Sequence, residues 1–211
     1  MRPPRGKRSG RPAPGPRSTP PAVIALSLRF ARFQLSARAL DHAPTLDALS
    51  IGPLRAAKPA DVDALLDRVF GADRRRRTAY RIRDGMTALD DLSFAALDRQ
   101  GRLIGSLQCW PAALDGTVPL VLVGPVAVQP EYQREGVGRT MMERMIAAAD
   151  YIGSDPLVLI GDPEYYGRFF GFEAHWTREW TVPGPVERRR LLARVPKGQT
   201  LPAEGHLGPR R

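Results

Sequence analysis

The residues of this chain best suited to binding an anion form one short glycine-rich segment, Gln133-Arg134-Glu135-Gly136-Val137-Gly138. Glycine has no Cβ, so the backbone can turn sharply there and successive N–H groups can converge on one negatively charged group. From Arg139 onward, apolar side chains recur at helical spacing, and the positive end of a helix dipole should therefore lie beside the segment. The pattern predicts a phosphate-binding loop.

A second stretch with reactive side chains is residues 162–172, which carries the adjacent phenols of Tyr165 and Tyr166. Acyl transfer from a thioester needs a neutral amine, a polarised carbonyl and a proton for the departing thiolate. A phenol, whose ordinary pKa is about 10, can donate that proton. The alternative interpretation is that both rings simply pack, with one hydroxyl in water.

The sequence does not single out a base that would deprotonate the amine. Four residues are candidates by position, and each has a simpler interpretation as a helix cap, a surface charge or a strand residue: Glu131, Asp162, Glu164 and His175. Water can also carry that proton. Three histidines and one cysteine offer no metal-ligand spacing, and no serine stands in a nucleophile-elbow pattern, so no metal is expected.

The glycine-rich loop requires a rigid strand before it and a helix after it. Residues 120–123 and Val126-Ala127-Val128 form a β-branched run broken by Gly124-Pro125, which is typical of a buried central strand. A bulge in that strand would free N–H groups near Val128 to polarise a carbonyl. The helix predicted from Arg139 has one apolar face, made of Met141, Met142, Met145, Ile146 and Ala149.

The remaining pattern alternates strands and helices. It predicts strands at 50–55, 92–98, 103–110, 157–160 and 190–194, another strand opening at 172, and helices at 59–70, 75–83 and 163–170. Residues 92–110 should form a hairpin, 111–118 a polar connection, and the chain after Pro196 should fray. The central strand and strand 157–160 should be parallel neighbours, because a crossover helix joins them.

The loop and the strand before it resemble the acetyl-CoA segment of the GNAT superfamily of N-acetyltransferases. The resemblance rests on Val126-Ala127-Val128-x-Pro130 followed by Gln133-x-x-Gly136-x-Gly138. It implies that the loop amides hold the pyrophosphate of coenzyme A and that the strand pairs with the pantetheine arm. The residues it implies for acetyl-CoA binding are Val126, Ala127, Val128, Gln133, Arg134, Glu135, Gly136, Val137, Gly138 and Arg139.

Residues 162–172 are similar to the C-terminal half of the same family, in a bacterial group with the signature D-x-x-Y-Y-x-R-F-G-F. By that match, Tyr166 is the residue that protonates the departing thiolate of coenzyme A. The family places this tyrosine about four residues before a Gly-Phe pair, whereas Gly171 follows Tyr166 by five. Two outcomes are open: the extra residue forms a bulge at the helix end that leaves Tyr166 in register, or it shifts the hydroxyl away.

The resemblance covers residues 49–195 and implies an α/β fold of layered α+β type. A mixed, mostly antiparallel sheet of about six to seven strands should carry helices on both faces and a central parallel βαβ unit. The implied function is direct, acetyl-CoA-dependent acetylation of a primary amine on a small molecule or protein. The alternative, suggested by the Tyr166 spacing, is a CoA-binding sensor or partner domain without turnover.

Positive charge is concentrated at the N-terminus. Residues 1–40 hold nine basic and no acidic side chains, and so account for nearly all of the net charge of +10. The rest of the chain is close to neutral, which argues against a nucleic-acid-binding domain. The run Arg74-Arg75-Arg76-Arg77 could hold an acidic substrate or a phosphate, although a solvated helix face is favoured.

The two ends of the chain are interpreted as extensions. Residues 1–48 should be disordered or weakly ordered, with a tether to nucleic acid or acidic lipid through 1–40 as the minor alternative. Residues 22–40 show an apolar helical face, for which a transit peptide is the minority interpretation, and 196–211 form a C-terminal tail. No apolar run approaches the roughly 20 residues that span a bilayer, and one cysteine cannot form an internal disulfide, so a cytoplasmic location is expected. The sequence does not indicate an oligomeric state.

Overall fold

A computed structural model describes residues 49–210 of the chain. The predictions for the extension 1–48, including the helical face in 22–40 and the nucleic-acid tether in 1–40, lie outside the described residues. The strands are β1 Ser50–Pro53, β2 Phe94–Leu97, β3 Leu103–Leu114, β4 Val118–Val128, β5 Leu157–Ile160, β6 Glu179–Thr181, β7 Leu191–Arg194 and β8 Glu204–Pro209. The α-helices are α1 Pro59–Phe70, α2 Thr78–Ile82, α3 Val137–Ile152 and α4 Pro163–Phe170.

The strands form a mixed sheet with the order β1-β2-β3-β4-β5-β7, to which β8 adds by pairing with β3 and β6. Neighbours along the main order are antiparallel except β4 and β5, which run parallel and are joined by α3. β6 and β8 form a second, short parallel pair. The predicted α/β fold and its central βαβ unit are confirmed, with eight strands in place of the expected six to seven.

Alternation along β4 sends its side chains into two different cores. Val121 and Val123 pack with the methionines of α3 on one face of the sheet. Leu120 and Leu122 pack with Trp180 on the other face. On that second face, α1 closes over the end of β4 near Ala127, with buried contacts from Val62, Leu65 and Leu66. The sheet is therefore covered on both sides, as its strongly apolar central strands require.

Two expected boundaries between strands and loops are wrong. Residues 111–114 are not part of a polar connection, because they continue β3 and pair with β4, and the turn occupies only Asp115 to Thr117. Pro111 and two alanines concealed this strand, since neither residue type favours β structure. The expected strand at 172 is reduced to one bridge between Glu173 and Ala193.

The C-terminal residues also differ from expectation. The prediction that the chain frays after Pro196 is wrong, since β8 pairs with β3 and Leu207 is fully buried. Gly205 and Gly208 hid this strand, because glycine disfavours strands. The helix expected at 75–83 is shorter and irregular, consisting of a 3₁₀ turn at Ala72–Arg76 followed by α2. Within residues 49–210, no helix is both long and apolar enough to cross a membrane.

Candidate active site

A gap opens between the two parallel strands at the centre of the sheet. β4 and β5 pair only at Val121 with Leu157 and at Leu122 with Val158, although both strands continue beyond this point. Past these pairs the two strands separate, and we call this opening the β4–β5 gap. Within residues 49–210, the β4 edge along it has no neighbouring strand to satisfy its backbone groups, so a ligand can pair there.

The β4 amides that face the gap are those of Val126 and Val128. On the opposite edge, the N–H of Gln129 donates to the Ile104 carbonyl of β3 over 2.8 Å. Because backbone groups alternate between the two edges of a strand, the N–H groups of Val126 and Val128 point away from β3. Ala127 therefore pairs with β3 through its backbone, while its side chain contacts α1.

β4 contains a bulge in its pairing with β3, before the position near Val128 at which a bulge was considered from the sequence. Leu107 of β3 lies opposite Val126 and Cys109 lies opposite Val123, so β4 has one extra residue in this interval. The extra length falls at Gly124-Pro125, whose peptide bond is cis. After the bulge, Val126 and Val128 return to the face covered by α3.

The glycine-rich loop places the N-terminus of α3 beside the end of β4. Gly136 is the N-cap residue with φ +78°, a left-handed conformation that glycine adopts without steric cost, and Arg134 also has positive φ, +80°. The helix begins at Val137, two residues before the predicted start. The first amides of a helix have no acceptor within it, so those of residues 137–139 are free to bind an anion.

Two contacts hold the loop beside the gap. The Gln133 side-chain amide donates to the Val128 carbonyl over 3.1 Å. A Cβ placed on Gly138 would lie 3.5 Å from Cγ2 of Val128, so α3 approaches β4 to van der Waals contact. The structure thus brings together the strand residues 126–128 and the loop residues 133–139 that the sequence singled out.

The charged side chains of the loop are not aimed at a common anion. Arg139 donates to Glu143 over 2.8 Å and its guanidinium lies 4.9 Å from the centre of the Phe169 ring. One carboxylate oxygen of Glu135 is enclosed without a hydrogen-bond partner among the described residues. Anion binding here rests on backbone amides, which the helix dipole reinforces.

Tyr166 lies next to the end of β5, on the other side of the gap. Its ring covers Gly161, the residue after β5, so closely that a Cβ there would lie 2.3 Å from Cε2 of the ring. Burial raises the pKa of Tyr166 to about 12, and the phenol is therefore protonated throughout the neutral range. The phenol thus carries the proton that a general acid needs, but the raised pKa makes it a weaker acid than a tyrosine in water.

The five-residue spacing from Tyr166 to Gly171 belongs to a widened helix end, where the Tyr166 carbonyl accepts from the amides of Gly171 and Phe172. Asp162 caps α4 by accepting from the Glu164 amide over 3.0 Å. At the other end, Gly171 is left-handed and the Phe172 amide donates to the Tyr166 carbonyl over 3.3 Å. In a Schellman end the corresponding bond spans five residues, as from the Ser154 amide to the Ala149 carbonyl at the end of α3, so the end of α4 holds one extra residue, as in the bulge considered for it.

The residues considered as bases are all engaged elsewhere. Glu131 pairs with Arg68, Glu164 with Arg189 at 2.9 Å, and His175 with Glu173 at 2.7 Å, while Asp162 caps α4. The simpler interpretations of the three acids agree with these contacts, whereas His175 lies in the 3₁₀ turn Ala174–Thr177 and not in the expected strand. Among residues 49–210, no group of three or more histidine, cysteine, aspartate or glutamate side chains is arranged to hold a metal ion.

The single cysteine is unavailable as an acyl carrier. Cys109 is fully buried in the core between β3 and α3, and burial raises the pKa of its thiol far above the usual range. A thiol that is neutral and inaccessible cannot attack a thioester.

A cavity of about 270 Å³ lies beside the β4 bulge, on the face of the sheet opposite α3. We call it the bulge cavity; the residues that define it are Asp63, Arg74, Tyr80, Arg83, Gln108 and Trp110. The sequence analysis missed it. A signal was present in β3, where the polar side chains of Ser106, Gln108 and Trp110 recur with period two in an otherwise apolar strand.

Comparison with known proteins agrees with this geometry. A family model described as "Acetyltransferase (GNAT) domain" matches residues 51–174. The chain belongs to the GNAT acetyltransferase family. A curated GNAT relative, "Uncharacterized N-acetyltransferase YhbS" of Escherichia coli (strain K12), is 32% identical over 127 residues, which cover 58% of this chain and 74% of the relative.

Two solved GNAT structures share the fold. The crystal structure of YhbS from Escherichia coli in complex with CoA has a TM-score of 0.60 and 25% identity, covering 80% of this chain and 92% of that chain. A GNAT family acetyltransferase from Brucella melitensis, solved with acetyl-CoA, has a TM-score of 0.55 and 22% identity, covering 76% of this chain and 94% of that chain.

Proposed function

We propose that this GNAT protein is an acetyl-CoA-dependent N-acetyltransferase that transfers the acetyl group directly to a primary amine of a small molecule or protein. The observation that carries the proposal is the β4–β5 gap itself. Free amides of β4 line one side, the N-terminus of α3 lies at its end, and the Tyr166 ring lies at the other side. Relatives solved with CoA or acetyl-CoA support the choice of donor.

Each group has a definite part in the proposed reaction. The amides of Val137, Gly138 and Arg139 bind the pyrophosphate, and the backbone of Val126 and Val128 pairs with the pantetheine arm and polarises the thioester carbonyl. The neutral amine attacks that carbonyl and passes its surplus proton to water. As the carbon–sulfur bond breaks, Tyr166 donates its proton to the thiolate. The burial of Cys109 favours this direct transfer over an acyl-enzyme.

The first test is calorimetry of acetyl-CoA binding followed by a screen of amines for thiol release. We expect binding in the micromolar range and release that depends on the amine. Absence of binding at millimolar acetyl-CoA would end the proposal. Binding without release by any amine would favour the sensor or partner domain over an enzyme.

The second test compares Tyr166→Phe with Tyr165→Phe. Loss of a general acid typically costs about 10²-fold in rate, so Tyr166→Phe should lower kcat by that order. The acetyl-CoA Kd should change less than twofold, because the phenol acts on the leaving group. Tyr165→Phe, on the same helix, serves as the control and should retain kcat within about threefold. Equal kcat values for the two variants would remove Tyr166 from the mechanism.

A further inference from the structure

The bulge cavity adjoins the point of β4 where the thioester would lie. Nη1 of Arg83 is 3.4 Å from the carbonyl oxygen of Gly124, which belongs to the bulge. The cavity therefore borders the segment of β4 that begins the β4–β5 gap. An acceptor bound at Arg83 would lie beside the bulge that directly precedes Val126.

Arg83 is the unusual residue of this cavity. Its side chain is buried, with the residue 6% exposed, and its guanidinium lies 3.9 Å from the Tyr80 ring centre and 4.1 Å from that of Trp110. Its polar contacts are long, 3.5 Å to Gln108 Oε1 and 3.4 Å to the Gly124 carbonyl. Among residues 49–210 it forms no ion pair with a carboxylate.

A neighbouring arginine shows how the same chain satisfies a buried cation. Arg74 is 2% exposed and donates to Asp63 and Asp67, each over 2.7 Å, and also to the Tyr80 hydroxyl. A buried charge without such partners is costly. Burial accordingly lowers the pKa of Arg83 to about 10, whereas the pKa of Arg74 is raised. Arg83 lacks the anion that Arg74 has.

A second donor in the cavity has no acceptor among the described residues. The indole N–H of Trp110 is enclosed and has no hydrogen-bond partner among the described residues. Two carboxylates line the cavity, but Asp63 is held by Arg74 and Arg75, and Asp84 is exposed to solvent. Among the described residues, Arg83 thus has no carboxylate and the Trp110 indole N–H has no acceptor, while the exposed carboxylate lies where a cationic amine could approach.

We propose that the acceptor amine carries a carboxylate, which Arg83 binds in the bulge cavity. This inference rests on the proposed function. The planar guanidinium fork matches the two oxygens of a carboxylate, and the Tyr80 and Trp110 rings lie over the guanidinium at 3.9 and 4.1 Å and hold it in place. The cavity volume of about 270 Å³ limits the enclosed part of the acceptor to a small group.

The binding step can be tested without acetyl-CoA. Benzoate and its neutral isostere benzamide are titrated into the full chain by calorimetry. We expect benzoate to bind at least tenfold more tightly than benzamide, and Arg83→Gln to abolish that preference. Arg76→Gln, an exposed arginine outside the cavity, is the matched control and should keep it. Equal affinities for benzoate and benzamide in the wild type would overturn the inference and require no variant.

A second variant guards against misfolding of Arg83→Gln. Arg83→Lys retains the charge and loses the bidentate fork, so we expect benzoate affinity to fall at least fivefold with the unfolding temperature maintained. Unchanged benzoate affinity in Arg83→Lys or Arg83→Gln would count against Arg83 as the anchor.

The turnover test separates this inference from the proposed function. Thiol release is compared for 4-(aminomethyl)benzoate and 4-(aminomethyl)benzamide. In the wild type, kcat/KM should be at least tenfold higher for the carboxylate. Arg83→Gln should lose this preference, mainly because KM for the carboxylate rises. If acetyl-CoA binds and the neutral amine reacts as well as the carboxylate, the inference fails and the acetyltransferase stands. If acetyl-CoA does not bind, the proposed function fails, and with it the assignment of the acceptor.

Discussion

Tyr166 owes its position to a residue that has no side chain. Its ring lies over Gly161, where a Cβ would meet Cε2 at 2.3 Å and Cδ2 at 2.5 Å. The Gly161 amide is fixed in turn by donating to the Arg190 carbonyl over 2.9 Å. The backbone at Gly161 is not in the left-handed region, so glycine is needed there for space alone.

Gly161→Ala should therefore affect catalysis indirectly, by displacing the ring of Tyr166. We expect kcat to fall at least tenfold, because the ring must move, and the free energy of unfolding to fall by about 1–3 kcal/mol from overpacking. In a Tyr166→Phe background the same change should lower kcat by less than twofold, since the hydroxyl is already absent. Steady-state kinetics and urea denaturation measure both quantities.

The control is Gly52→Ala on β1, where an added Cβ meets nothing within 4 Å and φ is not positive. It should leave kcat unchanged within twofold. If Gly161→Ala also retained the wild-type kcat, the contact with Gly161 would have no part in placing the phenol.

Residues with reactive or binding groups were easier to predict than a glycine that leaves space for a ring or an arginine that is buried without a carboxylate. The family resemblance pointed to Tyr166, and the glycines at 136 and 138 follow from the need for free amides. Gly161 carries no chemical signal, because its importance depends on a ring five positions later folding back over it. Arg83 was concealed by the preceding arginines, and only the fold shows that it is buried without a carboxylate while Arg74 has two.

At the scale of elements, α3 provides an internal comparison between its two ends. Gly136 at its start and Gly153 at its end are both left-handed, with φ +78° and +62°, and an added Cβ meets nothing within 4 Å at either. Alanine at either position costs backbone strain of about 1–2 kcal/mol and nothing in packing. Only Gly136 is part of the loop proposed to hold the pyrophosphate.

Gly136→Ala and Gly153→Ala should therefore lower stability alike and differ in ligand affinity. We expect Gly136→Ala to raise the acetyl-CoA Kd about tenfold, because the loop amides lose their alignment, and Gly153→Ala to change it less than twofold. Calorimetry and thermal unfolding on the same samples provide the comparison. A similar change of Kd in both variants would mean that general destabilisation, and not the loop, controls binding.

The elements that were predicted correctly are those with one strong periodic signal. α1 occupies residues 59–70 as expected, and β4, α3 and β5 form the βαβ unit. The bulge at Gly124-Pro125 was visible only as a break, because its consequence depends on how β3 pairs opposite it. β8 has no signal of its own, since its glycines disfavour a strand and its pairing with β3 and β6 is decided by residues far away in the sequence.

At the scale of the whole molecule, β8 completes the sheet at the edge remote from the gap. Leu207 is fully buried in the core with Trp180, and the Trp180 indole donates to the Pro202 carbonyl over 2.9 Å. Leu207→Ala should lower the free energy of unfolding by about 2–5 kcal/mol, the usual cost of such a cavity. Glu204→Ala, exposed on the same strand, should change it by less than about 0.5 kcal/mol. Equal losses would mean that β8 contributes no packing.

The charge distribution assigns acetyl-CoA binding and any nucleic-acid binding to different parts of the chain. Residues 1–40 carry nine of its 32 basic side chains and none of its 22 acidic ones. The rest of the chain is therefore almost neutral, and some of its arginines pair with carboxylates, as in the contacts of Arg139 with Glu143 and of Arg194 with Asp150. A near-neutral domain attracts nucleic acid weakly.

Deleting residues 1–40 should consequently leave acetyl-CoA binding intact and remove any attraction to nucleic acid. We expect the acetyl-CoA Kd to stay within twofold of that of the full chain. Any affinity of the full chain for a DNA duplex should weaken steeply with salt, because it arises from phosphate neutralisation, and should vanish in the truncated protein. Calorimetry and fluorescence anisotropy at two salt concentrations measure these effects. DNA affinity that survived the deletion would instead place a nucleic-acid surface on the GNAT domain, whose balanced charges give no reason to expect one.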